Sequence, residues 1–378
     1  MGSDSGAADS DPVLQTGVCY VLFAYDAARS IDLDAAERRI HEATQRQTIQ
    51  HKRRAPSYLE YQPPPLRLSQ EIQPINIGQC KSHRMVDLVL YDFGAVSVIY
   101  SIPIQGPFAA LLALSEDLYD NEILLTESRA RVEQIVSAVG DAAVNVHTVS
   151  VVEDYVIFRI AALDPPARPE AFCASHARDI ARILRAERQS LSFQEVEDAL
   201  SARTSYGADD LTIIDWNAAL LVDREGDDVQ AVLEFANVEL LEMRYLDQKL
   251  DRALFEAYET LSKRSWSLPR FLGYYSADLR RVAELQVDNA LLFEGVNNTL
   301  KLLGDQYLAR VYRLVNRRFH LAEWDSSIIR KLQTLESIYE KIADQAATRR
   351  LEILEWVIIL LIAFSILLEF VPLTGSHR

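Results

Sequence analysis

The feature that most constrains this chain is its carboxyl end, where Arg349-Arg350-Leu-Glu-Ile-Leu-Glu355-Trp356 leads into Val-Ile-Ile-Leu-Leu-Ile-Ala-Phe-Ser-Ile-Leu-Leu and then Glu369-Phe-Val-Pro372. A bilayer core about 30 Å thick takes roughly 20 apolar residues in a helix. The uninterrupted run from Trp356 to Leu368 is about 13 residues, a length at which a buried core helix competes. Widening the window to Leu351–Leu373 supplies the length and places Glu352, Glu355 and Glu369 near the ends, where charge is tolerated far better than at the midplane. Glu355 and Glu369 then fall about 40° apart in azimuth and roughly 21 Å apart along the axis, on one face. The expectation is a single transmembrane helix over 351–373, a tail anchor in contact with membrane lipid. Arg349 and Arg350 on its N-terminal flank put the bulk of the chain on the cytoplasmic side, in a bacterial inner membrane or facing the matrix of a mitochondrial one.

Charge and cysteine content narrow the remaining classes. Thirty-nine basic against 55 acidic side chains give a formal charge of −16, the opposite of a general nucleic-acid binder's footprint. Cys19, Cys80 and Cys173 are odd in number and widely spaced, which suits reduced thiols. Met1 to Asp11 is acidic and lacks an apolar core, so it is no secretory signal, and 1–16 is expected to be disordered.

Along 17–165 strand-like and helix-like patterns alternate. Val18–Ala24 is a short apolar run that reads as a buried strand, and Asp32–Ile49 carries apolar Leu33, Ala36, Ile40 and Ala43 at helical spacing. Met85–Tyr91 and Ala95–Ser101 flank Asp92-Phe93-Gly94 as a hairpin. Pro107–Val139 is helical in pattern, and Val144–Val152 with Tyr155–Ala161 reads as a second hairpin turning at Glu153-Asp154. Strand, helix, strand, strand, helix, strand, with one extra strand at the end, is the order of a split βαβ, so the expected fold class is α+β with an N-terminal ferredoxin-like domain. A mixed connecting region follows over 166–228.

From 229 to 350 the pattern becomes that of long helices in an antiparallel bundle or coiled coil. Ala236, Leu240, Met243, Leu246, Leu250, Leu254, Ala257 and Leu261 form one stripe. Leu279, Val282, Gln286, Asn289, Phe293, Val296, Leu300, Leu303 and Tyr307 alternate at three and four, and Ile328, Leu332, Leu335, Tyr339, Ile342 and Ala346 form a third stripe. Such seams pack within one chain or between copies, and Gln286 and Asn289 at seam positions would select a register.

Motifs that carry chemistry are scarce. Cys173-x-x-His176 is half of a zinc site without the second pair that structural zinc needs. Asp92-Phe93-Gly94 copies three letters of a kinase motif without its companions, and no Walker loop, G-x-G-x-x-G, H-E-x-x-H or G-x-S-x-G occurs. Asp215-Trp216-Asn217, inside the run Leu211–Val222 that reads as one strand, offers a polar site at that strand or, as the plainer reading, a half-buried Trp with solvated neighbours, while the acidic pairs Asp209-Asp210 and Asp227-Asp228 read as turns and caps. Lys52, Arg53 and Arg54, with Tyr58 and Tyr61 nearby, form the one local patch suited to RNA or a phospholipid headgroup. The expectation is a non-enzymatic protein without cofactor or metal, acting as a scaffold for an unknown protein or ribonucleoprotein partner and self-associating through its helices. The competing readings are a ligand-sensing module and, more remotely, part of a cation channel.

Several words resemble the required-for-meiotic-nuclear-division family, whose core is a domain of unknown function: Cys19-Tyr20, Leu88-Val-Leu-Tyr-Asp-Phe-Gly94-Ala-Val-Ser-Val, Ser175-His176-Ala177 and Leu354-Glu355-Trp356-Val-Ile-Ile. The continuation Arg178-Asp-Ile-Ala-Arg-Ile and the Pro-rich insert around Pro63 depart from the family pattern, as a divergent bacterial branch would. The resemblance implies a tail-anchored membrane protein. Mitochondrial members of that family support organelle translation, and no catalytic residue carries over.

Overall fold

A computed structural model describes residues 12–44, 49–51, 63–147, 151–262 and 306–370. The chain divides into two compact units, one of residues 1–245 and 290–325, the other of 246–289 and 326–378.

The first unit opens with β1 (Val13–Asp26), β2 (Ser30–Ile31), α1 (Leu33–Thr44) and β3 (Ile49–His51). Then come β4 (Leu66–Glu71), the small pair β5 (Asn76–Ile77) and β6 (Cys80–Lys81), β7 (Met85–Leu90) and β8 (Ala95–Pro107). Helices α2 (Ala110–Leu118) and α3 (Glu122–Val139) precede β9 (Ala143–Val144) and β10 (Val152–Asp164). Three short helices, α4 (Pro169–Ser175), α5 (Ala177–Arg185) and α6 (Phe193–Ala199), lead to β11 (Arg203–Thr204), β12 (Leu211–Ile214) and β13 (Ala218–Val222). Helix α7 (Asp227–Ser262) follows, and α8 is Gln306–Arg318.

Nine strands form one sheet in the order β11-β12-β13-β10-β1-β8-β7-β4-β3. All neighbours are antiparallel except β10 and β13, where Phe158 stands beside Leu220 in a parallel pair. A parallel pair needs a crossover connection rather than a tight turn, and α4, α5 and α6 lie in it. β1 is central, bonded along its length to β8 and β10.

Side chains alternate across a strand, so burial on both faces demands cover on both. Cys19, Val21, Phe23 and Tyr25 of β1 enter one core with Val98, Tyr100, Phe158 and Leu220, capped by Ala36 of α1, Leu114 of α2, Val132 of α3, Phe172 of α4, Ile180 of α5 and Val196 of α6. The intervening residues, among them Leu22, Ala24, Ile99, Ile157 and Leu221, are equally buried on the opposite face. There α7 and α8 provide the cover: Arg67 of β4 bonds Glu234 of α7, and Thr212 Oγ1 of β12 lies 3.4 Å from Tyr307 Oη of α8.

This architecture corrects the ferredoxin-like expectation. Three of the strands that prompted it and the extra strand after them lie in mid-sheet as β10-β1-β8-β7, but five more widen the sheet on both sides, and helices cover the second face. Glu153 and Asp154 are not a turn either; they pair with Ala24 and Phe23 inside the long strand β10. The run Leu211–Val222 is two strands, turning at Asp215–Asn217.

In the second unit, the end of α7 lies beside α9, which is Leu321–Phe370 in full. Leu246, Leu250, Ala253 and Ala257 are buried on one helix, and Ile328, Leu332, Leu335 and Tyr339 on the other. Ser327 Oγ donates to Asp247 at 3.5 Å, and Lys331 Nζ lies 2.7 Å from Asp247 and 2.5 Å from Asp251. A four-residue step on one helix thus matches a step in the same direction on the other, so these two run parallel. Gln286, Asn289 and Phe293 lie outside the described residues.

Among the described residues, no helix is long and apolar enough to cross a membrane. Helix α9 is 50 residues long, and Glu352 and Glu355 fall within its apolar part. The tail anchor over 351–373 and the membrane localisation drawn from it are therefore withdrawn.

Candidate interaction surface

Polar clusters decide where chemistry could occur. The most deeply buried one gathers at the ends of α5, α6 and α8 around the β12–β13 turn. Asp215 is 0% exposed. Its Oδ2 accepts Arg185 Nε at 3.0 Å, its Oδ1 accepts Arg318 Nε at 2.8 Å and its neighbour's Trp216 N–H at 2.8 Å, and its carbonyl accepts the Tyr155 hydroxyl at 2.9 Å. Asp198 joins at 2.6 Å from Arg185 Nη2 and 2.9 Å from Arg318 Nη2, and Glu195 also engages Arg185. Hydrogen bonds from Arg318, opposed by a smaller effect of burial, hold the Asp198 carboxyl below its ordinary range.

Local sequence explains the convergence. α5 stops at Ala186 in a left-handed conformation, and Arg182 covers the open end by donating to the Glu187 and Arg188 carbonyls. Ser192 then caps α6 by accepting Glu195 N–H at 3.2 Å, which sets Glu195 and Asp198 beside Arg185. Planar guanidinium forks saturated by carboxylates act as cross-links between elements, not as receivers of an incoming anion.

Two further clusters behave in the same way. Arg67 is bound by Glu234, which also accepts Gln230 Nε2 at 2.9 Å, and thereby fastens α7 to β4. At the end of β1, Asp26 Oδ2 lies 3.0 Å from His147 Nε2, and the His147 ring stacks on Tyr245 at 5.4 Å. A cavity of about 530 Å³ borders α3, but its lining residues, including Ile123, Glu127 and Arg131, all come from that one helix. Within it Arg131 bonds Glu127 and Gln70. Cys173 and His176 have packing roles: His176 lies against the rings of Phe108 and Phe172, and the Cys173 thiol is buried, which pushes it up. Among the described residues no group of three or more metal-ligating side chains is assembled.

The remaining feature is apolar. From Leu351 to Ile366 of α9 the large hydrophobic side chains are exposed, with Trp356 at 65% and Leu360 at 64%. Val357, Ile358, Ile359, Leu361 and Ile362 are exposed in the same stretch, so consecutive residues present apolar surface on every side of the helix. A helix apolar all round is stable in water only when other chains or elements surround it. Phe255 and Tyr258 add exposed rings on α7.

The residues singled out from sequence distribute as follows. Leu332, Leu335 and Tyr339 are buried in the second unit, and Trp356 lies within the exposed stretch. Glu355 precedes Trp356 on the same exposed surface. Arg349, Arg350 and Glu369 are helical positions of α9 whose side chains lie outside the described part, and Lys52, Arg53 and Arg54 lie outside the described residues altogether. Sequence reasoning missed Arg185 and Arg318, because the partners that bury them are distant in the chain. Asp215 was expected either in a polar site at a strand or as a solvated neighbour of Trp216, and it is instead fully buried.

The family described as Uncharacterized protein MJ0711, N-terminal domain, matches residues 16–228, from β1 to the first residues of α7. The uncharacterized protein MJ0711 of Methanocaldococcus jannaschii is 25% identical over 204 residues. The aligned part spans 53% of this chain and 61% of that protein's length. These matches show a domain of unknown function; they do not show the required-for-meiotic-nuclear-division family.

Proposed function

Because the chain belongs to the family of the MJ0711 N-terminal domain, and that match ends where α7 begins, we propose that it is a non-enzymatic protein whose helices after residue 228 form the working surface, used to associate with further copies of itself. The single observation that supports this is the run of exposed apolar side chains from Trp356 to Ile362. One neighbour on one side would leave most of that run in water, whereas equivalent helices from several copies, as in a multi-stranded coiled coil, bury a wider part of it. The absence of a catalytic role is supported by the polar clusters, whose arginines are consumed in cross-linking elements of the fold. The words shared with the required-for-meiotic-nuclear-division family are consistent with a partner-binding role, and a protein or ribonucleoprotein remains the second class of partner for the same surface.

Light scattering coupled to gel filtration tests the reading without detergent or lipid. The full chain is expected to run as a discrete multimer, and a chain ending at Thr348 as a monomer with an unchanged circular dichroism spectrum in the strand region. A full chain that is monomeric, or that assembles only when phospholipid vesicles are added, would overturn self-association.

A further inference from the structure

Glu239 of α7 is 2% exposed and lies at the contact between α7 and α8. Its Oε2 accepts the Tyr312 hydroxyl of α8 at 2.6 Å, while its Oε1 is buried with no hydrogen-bond partner. Among the described residues no cation pairs with it. Arg67 and Arg318 are engaged elsewhere, Arg67 by Glu234 and Arg318 by Asp198 and Asp215, and Arg244 of α7 pairs with Glu153. The titratable group facing it from α8 is Tyr312, itself hydrogen-bonded to Asn316, and the nearest acidic groups on α7 are Glu234 and Glu242. A charged carboxylate here would be buried with one oxygen unsatisfied, a costly state, whereas the neutral acid loses far less.

We propose that Glu239 is a protonation switch for the α7–α8 joint: the joint is closed while this side chain is the neutral acid and loosens when it ionises. Burial pushes its pKa up to about 7, with the Tyr312 hydrogen bond pulling the other way. The sign follows. Exposed in an opened joint, the carboxyl ionises near its ordinary value of about 4.3. Closed, it keeps its proton to about 7. Glu239's contribution to closure is therefore complete below about pH 4.3, declines as pH rises, and is gone above about 7. The switch acts on the same helix that Arg318 fastens to Asp215.

Hydrogen exchange of the α8 amides in the full chain, corrected for intrinsic rates, reads the opening of the joint. From pH 5 to 8 the wild type is expected to open on the order of tens of times more often, levelling off above neutrality. Glu239→Gln should give a flat profile. Tyr312→Phe, which removes the bond that favours the charged form, should shift the levelling point to higher pH. Parallel profiles for wild type and Glu239→Gln, or a Tyr312→Phe profile that does not move upward, would overturn the proposal.

Discussion

Replacing Asp215 by alanine is expected to lower the stability of the first unit by about 3–5 kcal/mol, the range seen when one partner is removed from a buried ion pair. Asp215 is fully buried, and the side chains of Arg185 and Arg318 are only 11% and 14% exposed. Without it, both guanidinium groups stay in a low-dielectric setting with only Asp198 and Glu195, which are half-exposed and well screened. The Trp216 N–H also loses its acceptor. Removing Asp198 instead should cost about 1 kcal/mol or less, since exposed pairs contribute little. Urea unfolding followed by circular dichroism measures both. If Asp215→Ala and Asp198→Ala shift the midpoint equally, the buried carboxylate is not the centre of this network. A double variant, Asp215→Ala with Arg318→Met, should recover part of the loss, because it removes one of the stranded charges along with its partner.

The β7–β8 hairpin was legible from sequence because both of its causes are local. Two β-rich runs flank Asp92-Phe93-Gly94, and Gly94 adopts φ +103°, a conformation glycine reaches without strain. The long sheet was not legible, because its width depends on pairings such as β10 with β13, joined through three helices and two strands. The same limit explains α7. Spacing put Leu240 in the buried stripe between Ala236 and Met243, yet Glu239 takes that place and Leu240 is only partly covered. A carboxyl in an apolar stripe contradicts propensity, and only the Tyr312 hydroxyl, 73 residues away, accounts for its position. As for the apolar carboxyl end, the uninterrupted run from Trp356 to Leu368 established its character, and bilayer length was the wrong inference from it among the described residues.

Gly94 also supports the second large expectation. Its carbonyl accepts the amides of Ala27 at 3.2 Å and Ala28 at 3.3 Å, binding the hairpin turn to the segment that leaves β1. A Cβ built there would meet the Ala28 carbonyl oxygen at 1.7 Å and its carbon at 2.6 Å. Both are backbone atoms, so no rotamer change relieves the clash. Gly94→Ala therefore adds a forced shift of the β1 exit to the strain of a positive φ, together expected to cost about 3–5 kcal/mol. Gly106 supplies the internal control. It has nearly the same φ, +107°, but nothing within 4 Å of its Cβ position. Gly106→Ala should pay the backbone term alone, about 1–2 kcal/mol. The difference between the two urea midpoints isolates the clash, and equal losses would mean that the turn yields freely and does not fix the end of β1. Asp26 follows directly from that end and meets His147 at 3.0 Å, so Gly94→Ala is also expected to disturb the His147–Tyr245 stack, visible as a shifted imidazole resonance that Gly106→Ala leaves in place.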